Sequence, residues 1–363
     1  MATLAAPRSR PADLVANVGP NWFASVMGTG IIANALVSLP HLGAWTEGAG
    51  TAVWALATLW LLVVSAAFAA HFGLHREKAL SHHANPVMMQ FYGAPPMALM
   101  TVGYGFLLFA PPLIGSTAAT AASAVLWTLG TIAGLCTTVA VPYLMFTRHD
   151  LDRDAAFAGW LMPVVPPMVS AATGAALIPH LPAGQAQQTL LVACYAMFGV
   201  SLMATLVILP QVWSRFAHHG MGAAATVPTM WIVLGPLGQS VTASGNLAEY
   251  SSGVVDSALS GALTVFSLVF GIPVLGFALT WIAVAALTTL HARRGGLPFA
   301  LTWWSFTFPV GTCVTGAAYL AKATGLAAID GLALLLYAFL LGAWATVAFR
   351  TVRGIRTRAL LAG

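Results

Sequence analysis

Residues 51–72 read TAVWALATLWLLVVSAAFAAHF, twenty-two positions without a formally charged residue, a glycine or a proline. About 20 consecutive apolar residues cross the hydrocarbon core of a bilayer as a helix, so this stretch predicts a membrane span. The apolar segment before it begins differently: residues 20–30 read PNWFASVMGTG. Here Gly28, Thr29 and Gly30 interrupt the helix pattern, each glycine costing about 1 kcal/mol against alanine in a helix interior. One plain segment and one broken segment define a pair, and the pair recurs along the chain.

Of 363 residues, 59% are hydrophobic and 6% charged, where a soluble domain carries about a quarter charged residues. Uncharged runs of span length leave no room for a soluble domain, so the expected organisation is one integral membrane domain over residues 19–351. Residues 1–18 are read as a cytoplasmic tail and residues 352–363 as a basic cytoplasmic tail. The N-terminal sequence MATLAAPRSRPADLVANVGP is too polar and too proline-broken for a signal-peptide core, so the first span is expected to be retained.

Apolar runs between charged, Gly, Pro or Asn breaks give ten expected spans: 20–39, 51–73, 91–110, 121–147, 159–179, 188–213, 227–246, 257–290, 298–320 and 327–350. Arg and Lys concentrate in cytoplasmic loops. With the N-terminus inside, thirteen of the fourteen basic residues fall on the cytoplasmic side, Lys322 being the exception. The expectation is therefore an all-α, multi-pass protein of the cell membrane with both termini cytoplasmic. The net charge of +5 follows from the same asymmetry and needs no nucleic acid; the C-terminal arginines are expected to face lipid headgroups.

Proline and glycine favour the odd-numbered spans. Gly28 and Gly30 fall in the first, Pro95 and Pro96 in the third, Pro163, Pro166 and Pro167 in the fifth, Gly235, Pro236 and Gly238 in the seventh, Pro309 and Gly311 in the ninth. The even spans are plainer, Pro273 in the eighth being the clear exception. A proline within a helix removes a backbone hydrogen bond, and in hydrocarbon the freed group must be buried in protein or line a wet cavity. The alternation predicts five helical hairpins around a central pore, odd helices inside and even helices outside.

The span interiors hold almost no Asp, Glu or His, the usual marks of a proton relay. The odd spans offer neutral groups instead, among them Thr29, Asn34, Thr101, Ser170, Gln239, Thr242 and Thr312. His71 reads as interfacial, and His82–His83 and His218–His219 as solvated loop residues rather than metal ligands. Cys136, Cys194 and Cys313 lie in apolar runs and read as buried small hydrophobes; no metal or cofactor site is expected. Neither a phosphate-binding GxxxxGK[ST] loop nor HExxH is present. Kinked helices expose positive half-dipoles that favour anions, so the residues predict an anion pathway.

Five stretches, PNWFASVMGTG, NPVMMQFYGAPPMA (85–98), MPVVPPMVSAATG (162–174), IVLGPLGQS (232–240) and WWSFTFPVGT (303–312), together resemble the tellurite-resistance/dicarboxylate transporter family. That family includes a bacterial tellurite-resistance channel, plant slow anion channels, a yeast malate permease and fungal sulfite efflux pumps. The resemblance implies ten helices in five hairpins, a pore in each protomer of a trimer, and a pore-blocking phenylalanine matching Phe308, with Phe306 as its rival. The expected pore-lining or helix-breaking set is Gly28, Thr29, Gly30, Pro95, Pro166, Pro167, Pro236, Gln239, Pro309 and Thr312. The expected cargo is a small anion, either a C4-dicarboxylate such as malate or sulfite. The rival expectations are a proton-coupled dicarboxylate carrier and a resistance protein acting chemically on tellurite. Gly28→Leu or Gly30→Leu is expected to block flux, with Ala57→Leu in the plain second span as a harmless comparison.

Overall fold

The structure, a computed structural model, describes residues 11–40 and 42–361; Arg8 and Arg10, counted above as cytoplasmic, lie outside them. The chain crosses back and forth ten times. Helix α1 (Phe23–Ser38) follows a 3-10 turn at Pro20–Trp22, and α2 (Trp45–Leu74) is continuous. Helix α3 (Ala94–Phe109) follows a 3-10 segment at Met88–Gly93, and α4 (Ser116–Arg148) is continuous. Helix α5 (Pro166–Gly174) sits between 3-10 segments at Ala158–Leu161 and Ala175–His180, and α6 (Gln185–His219) is continuous. Helix α7 (Leu234–Glu249) follows a 3-10 segment at Ala224–Val233, and α8 (Ser257–Arg294) is continuous. Helix α9 (Phe308–Thr324) follows a 3-10 segment at Leu301–Phe306, and α10 (Ala327–Arg356) is continuous. Among the described residues there is no strand, only an isolated bridge between Ser252 and Val255.

The odd crossings are thus composite, and their prolines begin α-helices instead of bending continuous ones. Pro95, Pro166, Pro167 and Pro309 all lie in the first turn of their helices, where the missing N–H has no intrahelical partner to lose. Pro236 is the third residue of α7.

Burial separates two layers. Every residue from Phe23 to Leu36 of α1 is buried, as are all nine residues of α5. The five continuous helices α2, α4, α6, α8 and α10 are long and apolar enough to cross a membrane, and 22–33% of their apolar windows is buried. Their remaining faces carry Leu59, Val139, Val207, Val269 and Leu335 outward, as lipid requires. Around the interior α1 packs on α3, α3 on α5, α5 on α7, α7 on α9 and α9 back on α1. The ring closes with five members.

Side chains of the outer layer satisfy backbone groups of the inner one. Pro167 cannot donate to Pro163 O; Thr138 of α4 donates there instead at 2.9 Å. Beside it, Ser201 of α6 donates to Val164 O at 2.5 Å and accepts from Met168 N at 2.9 Å. Indole N–H groups add further ties from the outer layer to inner carbonyls: Trp54 to Val102 O, Trp127 to Ser170 O and Trp281 to Met230 O, at 2.9–3.1 Å. Buried polar groups left unpaired in hydrocarbon would cost several kcal/mol each, so these contacts make the broken inner helices tolerable.

The two described ends meet, Asn17 Nδ2 donating to Leu361 O at 2.6 Å. An even number of crossings brings both ends to one side. Lys322, the basic residue on the opposite side, pairs with Glu249 at 2.8 Å. Its charge is balanced locally.

Candidate anion pathway

Inside the five-membered ring lies a narrow cavity of about 40 Å³ to which every inner helix contributes. Helix α1 supplies Ile31 and Asn34, and α3 supplies Thr101 and Tyr104. Helix α5 gives a small-residue wall with Thr173, while Gln239, Thr242 and Asn246 face in from α7. Helix α9 contributes Phe308 and Thr315. Among these lining residues none is charged, and Tyr104 is the one titratable side chain.

Phe308 is the first residue of α9 and Thr315 comes seven residues later, about 10 Å along a helix axis. The aromatic ring therefore stands at the end of the cavity nearest the 3-10 segments, and it is 3% exposed. Phe306, two residues earlier, faces elsewhere. It packs edge-on against Trp231 and Trp303, with ring centroids 5.4 and 5.7 Å apart, in an apolar groove between α8 and α10.

Of the expected gate and pore-lining or helix-breaking set, Phe308 and Gln239 meet at the cavity. The others lie at helix contacts. Gly28 faces Thr307 and Trp304, and Gly30 faces Thr101. Thr29 donates to Ser25 O and accepts from Trp344 of α10, so its hydroxyl points to the outer layer. Pro95 and Pro167 stand at helix starts, Pro166 against Gly134 of α4, and Pro309 near Gly235 beside Pro236. The Thr312 hydroxyl donates to Pro309 O of its own helix at 2.7 Å and lies 3.2 Å from Leu234 O of α7.

The sequence had named Asn34, Thr101 and Thr242 as neutral polar groups without ranking them, and it passed over Tyr104 and Asn246. Asn246 Nδ2 donates to Ala172 O at 2.9 Å. Tyr104 falls within the GYG of residues 103–105, and spacing alone did not reveal which way it points. Cys313 turns its Sγ toward Leu234 O at 3.8 Å and Cys194 is buried on α6, but Cys136, expected to be buried, is exposed on the lipid-facing helix α4; none lines the cavity.

His71, expected at an interface, is fully buried. Its Nδ1 lies 3.0 Å from Val15 O, and its Nε2 lies 3.0 Å from Nε2 of His82. The carbonyl can only accept, which places a proton on Nδ1 and makes Nε2 the acceptor of the His82 N–H. The pair clasps the N-terminal segment against the turn after α2.

The description Voltage-dependent anion channel, of the SLAC1 family, matches residues 17–352. An uncharacterised transporter of Methanocaldococcus jannaschii is 28% identical over 97% of both chains. A sulfite efflux pump of Arthroderma otae is 27% identical over 85% of this chain and 83% of its own. A candidate malic acid transport protein of Schizosaccharomyces pombe is 25% identical over 63% of this chain and 53% of its own.

Proposed function

The chain belongs to the voltage-dependent anion channel family and is an anion transporter, and from that premise we propose that the anion passes through the cavity enclosed by α1, α3, α5, α7 and α9, past Phe308. The observation that carries this reading is the meeting of all five inner helices on one uncharged cavity with an aromatic ring at its end. A ring in a narrow apolar passage excludes hydrated ions until it turns aside. Acidic groups, which would repel an anion and bind a cation, are missing from the described lining.

The cargo is a small anion, inorganic or carboxylic. Sulfite is supported by the sulfite pumps that resemble the chain over most of its length, and a C4-dicarboxylate by the fungal malic acid relative. The protein works as a homotrimer in the cell membrane with a pathway in each protomer and both termini cytoplasmic. The paired ends and the basic loops support that orientation.

The test is Phe308→Ala beside Phe306→Ala in a planar bilayer. Phe308→Ala raises anion conductance several-fold, whereas Phe306→Ala leaves it near wild type. Equal conductance of Phe308→Ala and wild type, with both proteins folded, rejects the gate.

A further inference from the structure

We infer that the cavity selects a singly charged oxyanion that still carries an acidic proton, and that Asn34 is the residue that reads this proton. The inference rests on the pathway proposed above.

The argument is an account of hydrogens. A threonine hydroxyl has one proton to give and two lone pairs to offer. Thr101 gives its proton to Met97 O at 2.7 Å, and Thr173 gives its own to Val169 O at 2.8 Å. Thr242 and Thr315 lie 2.7 Å apart and otherwise reach only Gly238 O and Thr312 O. All four hydroxyls therefore turn lone pairs, not protons, toward the cavity. Asn34 gives one amide hydrogen to Thr101 O at 3.1 Å. Its Oδ1 is buried without a partner, and the residue is 5% exposed.

What remains to donate is small: the second amide hydrogens of Asn34 and Asn246, the amide of Gln239 and the Tyr104 hydroxyl. They can receive one anionic edge. No cation among the described lining residues offsets a second charge, and the cost of burying charge rises with its square. A fully deprotonated dianion would meet a surplus of acceptors. An acid oxyanion, hydrogensulfite or a half-protonated dicarboxylate, places its charged oxygens on the amides and its O–H on Asn34 Oδ1.

Sulfite and nitrate flux into proteoliposomes, measured across the pH range in which sulfite takes up its proton and corrected with protein-free vesicles, tests this. Nitrate is singly charged and carries no proton, so its flux reports the pathway alone. The titratable groups on the helices around the cavity, Tyr104 of the lining, Cys313 and Tyr319 of α9, Tyr250 and the Glu249–Lys322 pair, would act on both anions alike. Wild-type sulfite flux rises as pH falls, in step with the protonated species, while nitrate flux stays level. Asn34→Leu takes an amide donor from both anions but a proton acceptor from sulfite alone, so it lowers the sulfite-to-nitrate ratio about tenfold, the worth of one hydrogen bond to a charged group. A sulfite flux that rises with pH, or an unchanged ratio in folded Asn34→Leu, overturns the inference; the wild-type profile decides alone if the variant does not fold. Absence of both fluxes in the wild type overturns the pathway beneath it.

Discussion

Gly28 of α1 lies so close to Thr307 that a Cβ added at the glycine would sit 2.2 Å from the threonine Oγ1 and 2.8 Å from the Trp304 ring. The neighbours are bulky and buried, and Thr307 is held by its own bond to Trp304 O at 2.7 Å. The glycine therefore sets how near α1 comes to the start of α9, the segment that carries Phe308. Gly28→Ala is expected to cost about 1–3 kcal/mol by overpacking, read as a lower unfolding temperature in detergent. Leucine at Gly28 or Gly30 will disturb folding before it disturbs flux. Ala57 is no neutral comparison: it is fully buried, and its Cβ lies 3.8 Å from the Cβ position of Gly30. Leu59, 63% exposed, is the appropriate control, and Leu59→Ala should leave stability unchanged.

Two glycines of one turn in α7 should answer differently to alanine. A Cβ at Gly238 would lie 2.4 Å from Cys313 N and 2.5 Å from Thr312 C, backbone atoms that cannot swing aside. At Gly235 the nearest atom is Pro309 Cγ at 4.0 Å. Gly238→Ala will push α7 from α9 and lower both stability and flux, whereas Gly235→Ala will be tolerated. A Gly238→Ala protein that unfolds at the wild-type temperature would show that the contact has slack.

The histidine clasp predicts a pH dependence with a definite sign. Burial, helped by His71, His83 and Lys78, holds the His82 imidazole down at about 4, below its ordinary 6.5. Between those values the unfolded chain takes up a proton that the folded chain refuses, so stability falls as pH drops through that window and is complete above it. Hydrogen exchange of residues 13–18 should quicken over the same interval, because His71 holds Val15. His75 and Lys78 flank the pair, and a further positive charge there is disfavoured. His82→Gln should flatten the profile; a slope identical to wild type would assign the effect to another group.

The layering of the chain was legible because lipid imposes it: charge-free runs, basic loops and a proline parity all follow from a bilayer solvent. The facing of each inner helix was not. A helix buried on every side, as α1 is from Phe23 to Leu36, shows no amphipathic stripe, so sequence cannot say that Asn34 looks inward and Thr29 outward. The prolines marked the right segments but suggested kinks. A proline in a first turn and one in a helix interior look alike until the 3-10 lead-in is seen. The clasp escaped because His71, His82 and Val15 lie on three different elements.

Ser201 measures how much the proline breaks depend on the outer layer. It donates to Val164 O and accepts from Met168 N beside Pro166 and Pro167, and it is fully buried. Ser201→Ala takes the donor from Val164 O, a loss of about 1–3 kcal/mol, while Met168 N keeps its second acceptor, Val165 O, at 2.9 Å. Ser201→Thr, which keeps the hydroxyl, should retain most of the stability. An alanine variant as stable as wild type would mean that water has taken the hydroxyl's place.

Thr29 offers a direct test of whether the small-residue break in α1 serves conduction or packing. Its hydroxyl donates to Ser25 O at 2.8 Å and accepts from Trp344 Nε1 at 3.1 Å, tying the inner ring to α10. Hydrogen bonds between membrane helices average about 0.6 kcal/mol, so Thr29→Val and Trp344→Phe should each lower stability by about that amount. The double variant should cost less than the sum, since both changes remove one bond. Flux per folded protein should stay at the wild-type level in all three. A Thr29→Val protein with wild-type stability and altered anion flux would instead place the hydroxyl on the conducting path, and α1 would have to turn to bring it there.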